Sequence, residues 1–109
     1  MVIIGGIMNK KIALRKANKL ALKCWKEQVK ALYPKCVMCG STKRLNAHHL
    51  LSYRLYKKYR YDINNGLSLC SGCHKFRKGS PHQDPLIFAD WLNKNYPLIY
   101  NYAVRVGKL

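Results

Sequence analysis

Residues 36–78 read CVMCGSTKRLNAHHLLSYRLYKKYRYDINNGLSLCSGCHKFRK, and this stretch decides the fold. It opens on one Cys-x-x-Cys pair, Cys36 and Cys39, and closes on a second, Cys70 and Cys73. Structural zinc takes four ligands in a tetrahedron and prefers thiolates, and a Cys-x-x-Cys turn lets two sulfurs reach one ion. Gly40 directly after the first pair suits a tight knuckle. The two pairs are thirty residues apart, wider than a usual zinc-ribbon loop and long enough for a hairpin. The expectation is one structural Zn2+ on Cys36, Cys39, Cys70 and Cys73. The fifth cysteine, Cys24, lies outside this pattern.

Between the knuckles, Arg44 to Leu51 and Leu67 to Cys70 read as short strands. Asp62 to Gly66 forms a turn marked by Asn65-Gly66. A helix starts within the second Cys-x-x-Cys pair, carries His74 and ends near Gly79. Upstream, residues 10–33 read as a basic amphipathic helix. Its stripe of Leu14, Ala17, Ala21, Cys24, Gln28 and Leu32 recurs every three or four residues, and Pro34 ends it. Cys24 is expected in the core on this reading. Downstream, Asp84-Pro85 gives an N-cap and N1 pair for a helix whose core face is Ile87, Phe88, Trp91 and Leu92. Tyr96-Pro97 breaks it, and Leu98 to Val106 forms a last helical segment packed back. The class is therefore α+β: a small zinc-stapled ββα unit flanked by an N-terminal basic helix and C-terminal helices. The expected division is an apolar segment at 1–9, the helix at 10–33, and one domain at 34–109 with its motif core at 36–78.

The 109-residue chain carries 21 Lys and Arg against four Asp and Glu, a formal charge of +17. Such an excess favours a polyanionic partner. No stretch reaches the roughly 20 apolar residues of a spanning helix, so nucleic acid is preferred to a membrane. The N-terminal MVIIGGIM lacks a positive n-region and a cleavage signature and is not read as a signal peptide. A reducing cytoplasm is the expected location, where disulfides are rare. Arg54, Lys57, Lys58 and Arg60 interleave with Tyr53, Tyr56, Tyr59 and Tyr61 and are candidate phosphate contacts. Lys75, Arg77 and Lys78 add to them after His74. The competing reading is a tyrosine-rich loop that covers the zinc site.

Three of the four histidines sit beside the knuckles: His48 and His49 end the first strand, and His74 follows Cys73. His82, beyond Gly79 and Pro81, reads as a surface residue. The order Cys-x-x-Cys, His48-His49, Asn65, then Cys70-Ser71-Gly72-Cys73-His74 resembles the HNH endonucleases, the ββα-metal nucleases, and small phage-type members above all. The run Pro85-Leu86-Ile87-Phe88-Ala89-Asp90-Trp91 adds to the likeness.

The resemblance implies a metal-dependent endonuclease that hydrolyses DNA phosphodiester bonds. His49 matches the general base, an imidazole able to take a proton from water near neutral pH. Asn65 matches the residue that orients that base, with Asn64 second in line. His48 and His74 match ligands of a catalytic divalent metal, with Mg2+ or Mn2+ preferred and Ni2+ or Zn2+ as alternatives. Some relatives carry a third ligand four positions after the first helix ligand. That position is Lys78, so the expected site rests on His48, His74, waters and phosphate. DNA is the implied partner, and a phage packaging machinery (terminase) a further one. The alternative is a non-catalytic zinc-knuckle module that binds nucleic acid or serves packaging.

Overall fold

The computed structural model describes the backbone of residues 2–107 and the side chains of residues 9–107. The side chains of the apolar segment expected at 1–9 lie, except for residue 9, outside the described residues. Helix α1 (Val2–Leu32) leads into the first knuckle, followed by β1 (Leu45–His49). Two single 3-10 turns, Lys57–Tyr59 and Ile63–Asn65, interrupt the long connection to β2 (Gly66–Cys70). One wide π-type turn, Gly72–Phe76, carries the end of the second knuckle, and α2 (Pro85–Asn95) and α3 (Pro97–Gly107) complete the chain. The backbone helix thus begins at Val2, eight residues before the sequence places it. No helix among the described residues is long and apolar enough to cross a membrane.

β1 and β2 form an antiparallel pair whose register sets Leu45 opposite Cys70 and His49 opposite Gly66. An isolated two-stranded pair is marginal in water, so both faces need cover. Side chains alternate between faces along a strand. Leu67 and Leu69 face a cluster with Phe88 and Leu92 of α2 and with Cys36, Cys70 and Cys73. Gly66 faces the other way, under Trp25 and Val29 of α1, and any Cβ there would run into the Trp25 ring. The sheet is therefore held between α1 and α2.

The buried residues of α1 are Trp25 and Val29, at 1% and 0% exposure. Cys24, Leu14, Gln28 and Leu32 are exposed, so the stripe expected from the sequence is rotated away from the true contact face. The alanines of that stripe give periodicity without bulk. The indole of Trp25, adjacent to it, has the area that decides which face is buried. On α2, Phe88 and Leu92 are buried as expected, whereas Ile87 is exposed. Asp84 makes no side-chain cap of α2. Its Oδ2 instead accepts the Gly79 N–H at 2.7 Å, which closes the turn before the helix.

Asp62 links three parts of the fold. Its carbonyl accepts the Trp25 Nε1–H at 2.8 Å, its Oδ1 accepts the Asn64 N–H at 2.9 Å, and its Oδ2 accepts the Tyr102 hydroxyl at 2.8 Å. One acidic residue thus ties α1 and α3 to the turn before β2. The tyrosines of the 52–61 stretch are also structural. Tyr53 and Tyr61 pair through their hydroxyls at 3.2 Å, Tyr61 reaches Asn18 of α1, and the Tyr56 hydroxyl donates to the Gly107 carbonyl.

Removal of the Trp25 indole deletes the main α1 anchor. Trp25→Ala is expected to cost about 3–5 kcal/mol, read as a lowered urea midpoint. A loss below about 1 kcal/mol would show that α1 is not held this way.

Candidate active site and its cysteine frame

The first knuckle closes through backbone bonds: Gly40 N–H donates to the Cys36 carbonyl at 2.8 Å, and Cys36 N–H to the Ser41 carbonyl at 2.8 Å. Gly40 sits at φ +77°, a left-handed conformation that suits glycine. The second knuckle is bound to the first strand region by the Ser71 N–H to the Arg44 carbonyl at 3.0 Å. The four expected cysteines converge, with all ligand atoms within 4.8 Å of one another. Cys39 and Cys70 sulfurs lie 3.5 Å apart, close to the roughly 3.8 Å edge of a tetrahedral zinc thiolate site. Burial pushes the Cys36 thiol up, but backbone N–H groups around its sulfur outweigh burial and bring it down to about 7. Burial and the neighbouring sulfurs push Cys73 up. Four converging thiols, three of them buried and Cys39 exposed, are a set that could hold a metal ion. Cys24 is exposed and takes no part.

Beside this frame, an open cleft of about 410 Å3 is lined by His48, His49, His74 and His82, with Ala47, Leu50 and Ser52. All four histidines of the chain therefore meet in one place. His48 Nδ1 lies 3.0 Å from His74 Nε2, and His82 Nε2 lies 3.0 Å from the same His74 nitrogen. The three ring nitrogens form a second group able to hold a metal ion. His74 Nδ1 is buried and has no hydrogen-bond partner. Three imidazole nitrogens around one point cannot all be satisfied by one another, because a neutral imidazole has one donor and one acceptor. Burial lowers His48 to about 3 and His74 to about 4, with the neighbouring imidazoles adding to both shifts. Both are neutral near pH 7, the form that ligates metal.

His82 is the residue that the sequence reading assigned to the surface. It is exposed, yet its ring completes the triad. The left-handed Gly79, at φ +84°, turns the chain back after His74, and the Asp84 side chain holds that turn. The third nitrogen thus arrives eight residues after His74, where the sequence reading looked only at Lys78. The signal available was that His82 is the one remaining histidine in a chain with few.

His49 points to the opposite face of β1 from His48. Its Nε2 lies 2.8 Å from the Arg60 carbonyl. A carbonyl can only accept, so Nε2 carries the proton and Nδ1 carries the lone pair. The ring stacks on Trp25 with centroids 3.7 Å apart and planes 10° from parallel. Burial lowers the His49 pKa and the positive charges of Lys26 and Arg60 lower it further, against the opposing Arg60 carbonyl bond.

Asn65 is fully buried and makes no hydrogen bond to His49. Its Oδ1 accepts the Leu51 N–H at 2.6 Å, and its Nδ2 donates to the Leu51 and Tyr59 carbonyls, each at 3.1 Å. It therefore clamps both ends of the 51–59 loop, and the carbonyl that holds His49 belongs to the next residue, Arg60. Asn64 is exposed and only its backbone N–H is engaged. Of the basic candidates, Arg54, Lys57, Lys58, Lys75 and Lys78 are exposed. Arg60 turns inward, its guanidinium 4.0 Å over the Tyr53 ring. Arg77 reaches back to the Cys73 sulfur at 3.6 Å and so leans over the cysteine frame.

Residues 36–79, less than half of the chain, match the family model described as HNH endonuclease. No curated protein and no solved structure matches the chain.

Two outcomes test the two clusters. Stripping of metal from the cysteine frame is expected to unfold the chain, because four clustered thiols then lose their only common partner; an unchanged thermal melt after verified metal removal would contradict this. Because His48 and His74 are depressed from 6.5 to about 3 and 4, the unfolded chain binds more protons in the interval between. Stability is full above about pH 6.5 and falls as pH drops towards 4. Urea midpoints across that interval should decline, and less steeply in His48→Gln.

Proposed function

We propose that this chain, whose residues 36–79 match the HNH endonuclease family model, is a metal-dependent endonuclease that hydrolyses phosphodiester bonds in DNA. The observation that carries the proposal is the convergence of all four histidines on one open cleft, three grouped for a metal and the fourth fixed as one tautomer.

In this reading Cys36, Cys39, Cys70 and Cys73 hold a structural zinc, since four thiolates make a closed ligand set with no position for substrate. His48, His74 and His82 hold a second divalent ion. That ion, when bound, supplies positive charge to the scissile phosphate and to the departing 3′ oxygen. Three imidazoles shift the preferred ion from magnesium or manganese towards zinc or nickel. The exposure of His82 keeps the site open to solvent and phosphate.

His49 acts as the general base. Its Nε2 proton is fixed on the Arg60 carbonyl, so the Nδ1 lone pair is the one available to take a proton from water. Burial and the nearby cations keep the ring neutral and ready before the reaction. Once protonated, the ring lies flat on the Trp25 face, whose π electrons favour a cation. Asn65 is a positioning residue: it holds the loop that presents the Arg60 carbonyl. Arg54, Lys57, Lys58, Lys75 and Lys78 offer phosphate contacts around the cleft. None of the five cysteines is joined in a disulfide, which suits work in a reducing cytoplasm.

The test is plasmid cleavage with added magnesium, manganese, nickel or zinc. His49→Ala is expected to lower the cleavage rate by about 10²–10⁴-fold with fold and DNA binding retained. Cleavage by His49→Ala at the wild-type rate would reject the base assignment. No cleavage by the wild type with any of these ions would shift the reading to a binding module. His82→Ala should weaken binding of the second ion and leave the first in place, counted as bound metal after dialysis.

A further inference from the structure

Helix α1 has 31 residues, about 46 Å at 1.5 Å per residue, and the molecule is 57 × 33 × 23 Å. Residues 9–17 are exposed on every side, so this stretch of the helix stands clear of the domain. At roughly 100° per residue, Arg15, Lys16, Lys19, Lys23, Lys26 and Lys30 fall in one sector about 100° wide. The buried residues Trp25 and Val29 lie on the adjoining sector. The row therefore runs along the edge where the helix meets the body, and it is exposed throughout. Lys16, Lys19, Lys23 and Lys26, with Leu20 and Leu22, line one continuous groove. The only acidic residue of α1 is Glu27, and it makes no ion pair among the described residues.

The row also has a fixed relation to the histidine cleft. Trp25 lies flat beneath His49, and the next residue, Lys26, is near enough for its charge to act on that imidazole. The lysines thus start beside His49 and lead away from it along the helix. From Lys30 to Arg15 the row is about 22 Å long, or some six to seven base-pair steps at 3.4 Å each.

We infer that the α1 row Arg15–Lys16–Lys19–Lys23–Lys26–Lys30 is a phosphate track that carries duplex DNA beyond the cleft. This rests on the nuclease reading for its ligand but not for its existence, which the charge pattern supports by itself. Among the described residues no lysine of the row is held in an ion pair, so each can release a counterion on binding, with Glu27 the one acid beside the row. The track would make DNA affinity strongly salt-dependent while adding no sequence preference, because it touches phosphates only.

The test measures binding of a 30-base-pair duplex against salt in the non-cleaving His49→Ala protein. A row variant, Lys19→Gln with Lys23→Gln and Lys26→Gln, keeps helix-forming residues at exposed positions. A control removes equal charge elsewhere with Lys10→Gln, Lys35→Gln and Lys94→Gln. The expected result is a log-affinity versus log-salt slope reduced by about 2–3 in the row variant and by less than 1 in the control. Equal slopes for the row variant and its parent would overturn the track, as would equal losses in row variant and control. So would loss of binding to phosphatidylglycerol vesicles with the DNA slope unchanged. If wild-type protein cleaves no plasmid yet the row variant loses its slope, the nuclease reading fails and the track stands.

Discussion

Four sulfur atoms within 4.8 Å of one another bind together two points of the chain that are thirty residues apart in sequence. Everything between those points is a two-stranded sheet and a long irregular loop, neither of which is stable alone. The sulfurs fix the far end of the sheet, where Leu45 meets Cys70. The opposite end, where His49 meets Gly66, is then free to open into the cleft. A short sheet gripped at one end puts its other end at a defined distance from the wide turn that carries His74.

The geometry of the histidine cleft depends on backbone groups as much as on side chains. The proton of His49 is placed by the Arg60 carbonyl, and the loop that carries that carbonyl is held by the Asn65 side-chain amide, which bonds main-chain atoms of Leu51 and Tyr59. Asp62 fastens the same turn to α1 and α3. The loop that looks irregular is therefore pinned at Leu51, Tyr59 and Asp62, and its exposed Arg54, Lys57 and Lys58 project from a fixed base. A loop pinned in this way needs no further ordering to present its charges and the Arg60 carbonyl.

The cysteine frame, the sheet, His48, His49 and His74 were legible in the sequence because each is a local signal: a fixed spacing, a turn dipeptide, or a residue adjacent to a knuckle. His82 was not, because its arrival depends on a left-handed Gly79 and on the Asp84 side chain, which sequence reading assigned to a helix cap. The face of α1 was misread for a different reason. Leu14, Ala17, Ala21 and Cys24 satisfy a helical period, but burial goes to the residue with the most surface to hide, Trp25, and residues 9–17 are exposed. The role of Asn65 was legible as a position and not as a contact, since its partners are main-chain atoms of residues up to 14 positions away.

Gly66 and Trp25 are separated by 41 positions and yet leave no room for a Cβ between them. A larger residue at 66 would displace the indole, and a smaller one at 25 would leave His49 without its stacking face and Asp62 without its donor. Neither position can drift alone. The pair links the history of an exposed basic helix to that of the cleft: α1 is not a detachable appendage, and a lineage could exchange it only by rebuilding the floor beneath His49 in the same step.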